Sequence, residues 1–298
     1  MTPPKFSRRG LLAATGGALI LAACGDDSPD NSDTAGETSD TSGGVGAPES
    51  FVVVQRFPNH PLFTPGDVRL PVSLADTAGN LSDGPATLTG WIEDFDGKRV
   101  VEITATRRGV GIVVPYWEVR ANLPEAMVYT MRFEGDDGYG ATFELYGKGD
   151  VDSPLTGSKL PPFDTPTVDD HRGVEPYCSL TPEPCPLHDV TLTDALAAGT
   201  PVVYMVGTPA HCSTGTCAPG LEFLVTEHAR VGEAITMVHA DVYADDAATT
   251  VAPAVVALNI QYEPIVYFCT ADGVIVDRLD GIWDASELTE RIDLLLAR

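Results

Sequence analysis

Pro201-Val-Val-Tyr-Met-Val-Gly-Thr-Pro-Ala-His-Cys212-Ser-Thr-Gly-Thr-Cys217-Ala-Pro-Gly220 is the stretch on which the reading of the chain turns. Val202 to Val206 is a short apolar run of β-forming residues, and Thr208-Pro209 breaks it. Pro219 suits the first turn of a helix whose apolar stripe is Leu221, Leu224, Val225 and His228. Cys217 is thereby placed at or just before a helix N-terminus, where unpaired amides and the macrodipole favour an anion. A thiol with a free pKa of about 8.5 is shifted toward thiolate in such a place. Cys212, five residues upstream, would trap it as a disulfide.

Outward from this segment, the pattern predicts a short helix over Thr191–Ala198, the strand Val202–Val206, the helix Pro219–Arg230 and a strand Ile235–Tyr243. A helical or irregular stretch around Ala252–Leu258 follows, then strands Ile265–Cys269 and Val274–Arg278, and a final helix from about Ala285 to Ala297. Asp284 stands three residues before Glu287 in a capping-box arrangement, and Leu288, Ile292 and Leu295 form a buried stripe. From the strand before the cysteines onward, the order is βαβαββα.

That order, with two cysteines between the first strand and its helix, resembles the thioredoxin fold over residues 175–298. Glu263-Pro264 stands where thioredoxins carry a cis-proline facing the active site, and Phe268-Cys-Thr-Ala-Asp-Gly273-Val-Ile-Val resembles their closing hairpin. Laid on the family's Cys-Gly-Pro-Cys, Cys217-Ala-Pro-Gly220 makes Cys217 the exposed, attacking thiol and puts Gly220 where the second cysteine belongs. Cys212 is the partner only if Ser213-Thr214-Gly215-Thr216 loops back before the helix, which Gly215 eases. The resemblance implies a thiol–disulfide oxidoreductase acting on exported or envelope proteins through a mixed disulfide. Cys217 would be the nucleophile and Cys212 the resolving partner, with Pro264 shaping the substrate groove and Glu263 presenting backbone to it. A second reading is a non-catalytic binding module with structural disulfides. A third is a peroxidase, since Pro209, Thr214 and Cys217 approximate the peroxiredoxin pattern with one residue too many, and Arg230 would supply the positive charge. His211, Cys212 and Cys217 also offer soft ligands of the kind used in copper delivery, at a spacing unlike that family's.

Cys178 and Cys185 flank a loop restricted by prolines, and a disulfide between them would stabilise by roughly 2–2.5 kcal/mol in the chain-entropy model. An oxidising location favours this staple over metal binding by Cys178, Cys185 and His188. Cys269 reads as a small buried hydrophobe, and His228 and His239 as structural residues. No nucleotide, flavin or haem motif is present, so no bound cofactor is expected.

At the start of the chain, Lys5, Arg8 and Arg9 precede the uncharged run Gly10–Ala23. This suits an export signal over residues 1–23. Ser7-Arg8-Arg9-Gly10-Leu11-Leu12 resembles a twin-arginine signal, and Leu21-Ala22-Ala23-Cys24 resembles a lipobox, which implies lipidation at Cys24 and anchoring on the extracytoplasmic face of the cell membrane. Residues 24–49, rich in Asp, Ser, Thr and Gly, are expected to be a disordered tether. The chain carries a formal charge of −25, and loss of the three cations of residues 1–23 takes it to −28. Nucleic acid is thereby a poor partner.

Residues 50–150 show about seven short alternating strands separated by turns such as Asp96-Gly97 and Asp137-Gly138, the spacing of an antiparallel, immunoglobulin-like β-sandwich. Trp91, Trp117 and Tyr129 read as core and rim packing. Residues 151–174, with Pro154, Pro161-Pro162 and Pro166, read as an interdomain linker. The expected organisation is therefore an all-β sandwich followed by an α/β thioredoxin-like domain.

Overall fold

Period-two alternation builds the first half. In the computed structural model, which describes residues 50–298, its strands are β1 (Val52–Gln55), β2 (Gly66–Asp76), β3 (Gly79–Asn80), β4 (Thr87–Asp94), β5 (Arg99–Arg108), β6 (Tyr116–Leu123), β7 (Val128–Phe133) and β8 (Ala141–Glu144). The expected signal segment, Cys24 and the tether lie outside the described residues. All pairings are antiparallel, in the order β1-β2-β6-β5-β4-β7-β8 with β3 on β2, so the all-β expectation holds. The strands form one continuous path, because the long β5 pairs with β4 along most of its length and passes to β6 through Thr106, Arg107 and Arg108. Bridges from Phe51 to Asp136 and from Phe63 to Leu145 draw the two ends together, so the sheet is nearly closed. Its interior holds Leu70, Val72, Leu74, Ile92, Trp117, Val119 and Tyr129, while Trp91 lies at the rim under the guanidinium of Arg99.

The second half contains α1 (Leu192–Ala197), β9 (Val202–Val206), α2 (Cys217–Val231), β10 (Thr236–Ala240), α3 (Pro253–Ala257), β11 (Ile265–Cys269), β12 (Ile275–Asp280) and α4 (Ala285–Leu296). From β9 onward this is the expected βαβαββα order. The sheet runs β10-β9-β11-β12, with β10 parallel to β9 and the other pairs antiparallel. Alternation along its strands separates two cores. Val203, Met205, Met237, Val266, Phe268 and Leu279 pack against α2 and α4. Val202, Tyr204, Val206, Val238, Tyr267 and Cys269 pack on the opposite face with α1 and α3. Both faces are covered, which is why these strands read as unbroken apolar runs.

Strands β2 and β6 are buried on both sides, and their second face explains how the halves meet. Arg69 sends Nε and Nη2 to the two carboxylate oxygens of Glu287, each at 2.6 Å, with 5% and 0% of the two side chains exposed. Tyr116 donates its hydroxyl to Glu287 as well and accepts the backbone N–H of Asp284. Asp284 caps α4 as expected, accepting the N–H of Glu287 at 2.7 Å, but Glu287 does not return to the cap. The Tyr116 hydroxyl takes that place and frees Glu287 for Arg69. Around this pair, Glu118, Glu290 and Asp277 are bridged by Arg108, Arg120 and Arg291.

Residues 151–174 are ordered and packed. Leu160 is buried, the Gly157 and Leu160 amides donate to Ile275 and Gly273, and the Ile275 amide donates to Ser158. The segment thus pairs with the start of β12. Arg278 fixes it further by donating to the Pro154 carbonyl and, across the joint, to that of Leu62. Among the described residues, no helix is long and apolar enough to cross a membrane.

Candidate functional site

Two clusters of chemically active side chains flank the turn after β9. In the first, Cys212 and Cys217 form a disulfide with Cα atoms 5.9 Å apart. The loop-back required by their spacing is made by Gly215, at φ 67°, whose N–H donates to the Cys212 carbonyl. Thr216 ties the loop to the turn after β12 by donating its hydroxyl to the Gly281 carbonyl at 2.8 Å.

Helix α2 begins at Cys217, two residues before Pro219, which reverses the expected exposure of the sulfurs. Cys217 is 0% exposed and Cys212 is half-buried at the surface. The Cys217 N–H, an unpaired amide of the first helical turn, donates to Cys212 Sγ at 3.3 Å, and the Thr214 hydroxyl lies 3.2 Å from that same sulfur. The helix terminus therefore acts on Cys212, and the expectation of an exposed Cys217 is corrected. Gly220 leaves no room for a cysteine, because a Cβ there would meet Trp283 at 2.7 Å.

The Glu263–Pro264 peptide is cis, and Glu263 contributes its side chain rather than only its backbone. Its Oε2 accepts the Thr208 N–H at 2.5 Å and lies 3.6 Å from Cys217 Sγ. Burial pushes this carboxyl above its ordinary range, which the Thr208 N–H only partly offsets. A groove of 590 Å³ opens alongside, lined by Gln55, Phe57 and His60 from the first half and by Ser213, Thr214, Tyr262 and Glu263 from the second.

Behind the same turn lies the second cluster: Cys178, Cys185, His188 and His239, all buried, with their ligand atoms within 4.8 Å of one another. Cys178 and Cys185 are free thiols, so the expected staple between them is not formed. Cys178 and Cys185 present Sγ to His239 Nδ1 at 3.8 and 3.6 Å, and His188 Nε2 lies 3.2 Å from that nitrogen. The Cys185 N–H donates to Cys178 Sγ at 3.3 Å. A hydrogen bond from the Cys185 thiol pulls the Cys178 thiol below its ordinary value. His239 was expected to be merely structural. Its position on β10, one alternation from Met237, points it into the α2 side of the sheet where the cysteine loop packs.

The remaining candidates separate from these clusters. His211 packs edge-on against Tyr243 instead of joining the disulfide in a ligand set. Arg230 occupies the last turn of α2, paired with Glu227 and Asp293, about 20 Å along the helix from Cys217. Cys269 is buried, its thiol pushed up to about 12 by desolvation. No protein-family model matches the chain, and no curated protein matches it in sequence.

Proposed function

We propose that the protein is a membrane-tethered, extracytoplasmic thiol–disulfide oxidoreductase whose second half is thioredoxin-like, with Cys212 rather than Cys217 as the attacking sulfur. The observation that carries this reading is the asymmetry of the disulfide. Cys212 is the accessible sulfur, held by a helix-terminal N–H, whereas Cys217 is buried beside a carboxylate. In the reduced form, the Cys212 thiolate attacks one sulfur of a substrate disulfide. The S–S bond breaks, and the departing thiolate takes a proton from solvent. Cys217 then loses its proton to Glu263 and attacks Cys212 Sγ, releasing the second substrate thiolate, which takes up the proton from Glu263. The substrate gains two electrons and two protons as the enzyme pair becomes a disulfide; the reverse sequence oxidises a substrate dithiol.

The βαβαββα order, Pro264 beside the loop and the adjoining groove support a thioredoxin-like assignment. For the first half, the strand sets β1-β2-β6 and β4-β7-β8, joined through β5, support an immunoglobulin-like reading. The signal and lipobox patterns at the start of the sequence support export and anchoring through Cys24. Exported proteins with accessible disulfides or dithiols would be the substrates.

The test is the reduction potential of the Cys212–Cys217 pair, combined with mixed-disulfide trapping. A reversible pair between about −120 and −270 mV belongs with catalytic exchangers, and one below about −300 mV with structural disulfides. Cys217→Ser is expected to accumulate a mixed disulfide through Cys212, whereas Cys212→Ser is not. Trapping through Cys217 alone would overturn the assigned roles.

A further inference from the structure

We propose that Cys178, Cys185, His188 and His239 form a closed, tetrahedral zinc site that pins the irregular cysteine loop to the central sheet. This site stands apart from the redox pair, since neither Cys212 nor Cys217 takes part.

The strongest observation is the orientation of the two imidazoles. His188 Nδ1 lies 3.2 Å from the Pro166 carbonyl and His239 Nε2 lies 2.8 Å from the Gly207 carbonyl. A carbonyl oxygen can only accept, so each of these nitrogens carries the proton of its neutral ring. The other nitrogens, His188 Nε2 and His239 Nδ1, are then bare lone pairs facing one another at 3.2 Å in a fully buried space. Two acceptors at that distance repel unless a proton or a metal ion lies between them, and a metal ion also meets the two sulfurs that face His239 Nδ1. Backbone carbonyls that fix the outer ring nitrogen while the inner one points at a common centre are the usual outer support of a metal-bound histidine.

The three distances from His239 Nδ1 also fit. With Zn–N of about 2.0–2.1 Å and Zn–S of about 2.3 Å, a tetrahedron has edges of about 3.3 Å between nitrogens and about 3.6 Å between nitrogen and sulfur. The structure has 3.2 Å between the nitrogens and 3.6 and 3.8 Å from His239 Nδ1 to the sulfurs. Four protein ligands with no open position define a structural site rather than a catalytic one. Charge selects the ion. Among the four ligands, two thiolates and two neutral imidazoles balance a divalent cation, whereas copper(I) would leave a net negative charge on them, added to the buried Asp241 carboxyl 3.6 Å from His239 Nε2. Binding releases the two thiol protons to solvent.

The placement gives the ion its role. Three ligands lie in an eleven-residue run, Cys178 to His188, without a helix or strand, and the fourth is on β10. Within that run Pro182, Pro184 and Pro186 cannot donate backbone hydrogen bonds, so a metal cross-link holds what a ladder cannot.

The experiment uses the full chain, purified without chelator from cells grown with added zinc and then desalted. Zinc per chain is measured in the wild type, Cys185→Ser, His188→Ala and the double variant Cys212→Ser/Cys217→Ser. The expected result is about one zinc per chain in the wild type and the double variant, and at least a tenfold loss in the other two. Cobalt exchanged into the wild-type protein provides a readout that does not depend on variants folding: intense tetrahedral d–d bands with thiolate-to-cobalt charge transfer. Cobalt spectra without thiolate charge transfer, zinc retained in Cys185→Ser, copper in place of zinc, or a 178–185 disulfide in a protein that takes up no zinc after reduction would each overturn the proposal.

Discussion

Replacement of Arg69 by Met tests whether the buried ion pair makes one cooperative body of the two halves. The guanidinium makes two 2.6 Å bonds to Glu287 and donates to the Ile282 and Asp280 carbonyls at 2.6 and 3.2 Å. Without it, Glu287, itself fully buried, keeps the Tyr116 hydroxyl and Arg120 Nη2 at 3.6 Å. A stranded buried charge costs about 3–5 kcal/mol. Burial pushes the Glu287 carboxyl upward against the pull of Arg69, so in the variant it takes up a proton and the cost lies toward the lower end. About 3 kcal/mol in a body of this size corresponds to a fall in Tm of about 6–12 °C. The penalty is expected to be larger at pH 8 than at pH 5, because neutralising Glu287 is easier in acid. Arg69→Met/Glu287→Leu, which removes both charges, should recover most of the loss, giving a coupling energy of about 3 kcal/mol in a double-mutant cycle. Calorimetry and denaturant unfolding followed at the tryptophans measure each corner. A loss under about 1 kcal/mol for Arg69→Met, or strict additivity in the double variant, would refute the reasoning.

Three further outcomes are expected. Burial pushes Glu118 up, but Arg69 and the hydrogen bond from Arg120 outweigh it and hold the carboxyl at about 2, against an ordinary 4.5; because the folded value is depressed, its stabilisation is full above 4.5 and is lost as pH falls toward 2. Glu118→Gln should therefore be less stable than wild type by on the order of 2 kcal/mol at neutral pH, with the difference vanishing near pH 2 in acid-unfolding curves. Glu263→Gln should slow resolution of the mixed disulfide by on the order of 10²-fold while leaving the first attack by Cys212 on a small disulfide reagent unchanged, as followed by stopped-flow absorbance. Gly220→Ala should destabilise by about 1–2 kcal/mol in urea unfolding, since the collision with Trp283 outweighs the gain in helix propensity.

The β9–loop–α2 segment was legible because an apolar run, a breaker and a helical stripe follow one another without interruption. The exposure of its cysteines was misread, although the signal was present. Cys217, Leu221 and Leu224 are spaced four and three apart, which extends the buried stripe back to the sulfur. The joint between the halves was not legible: Arg69 and Glu118 occupy the polar positions of alternating strands, and nothing local distinguishes a solvent face from one that α4 will cover. His239 was missed for a related reason. Its partners lie more than fifty residues upstream, so strand alternation shows that it points inward but not what it meets there.

The irregular segments that pair along the small sheet have a consequence for self-association. A four-stranded sheet has two outer strands whose free amides and carbonyls can template growth by another chain. Residues 157–160 pair with the start of this row, at Gly273 to Ile275, and the Leu187 carbonyl takes the His239 amide on β10. Each rim is therefore interrupted by a segment from the same chain, at Ile275 on β12 and at His239 on β10, and the prolines near those segments make them poor templates themselves. Edge-to-edge polymerisation is thereby hindered at these two points, and loosening either segment would lengthen the free rim before it disturbed either core.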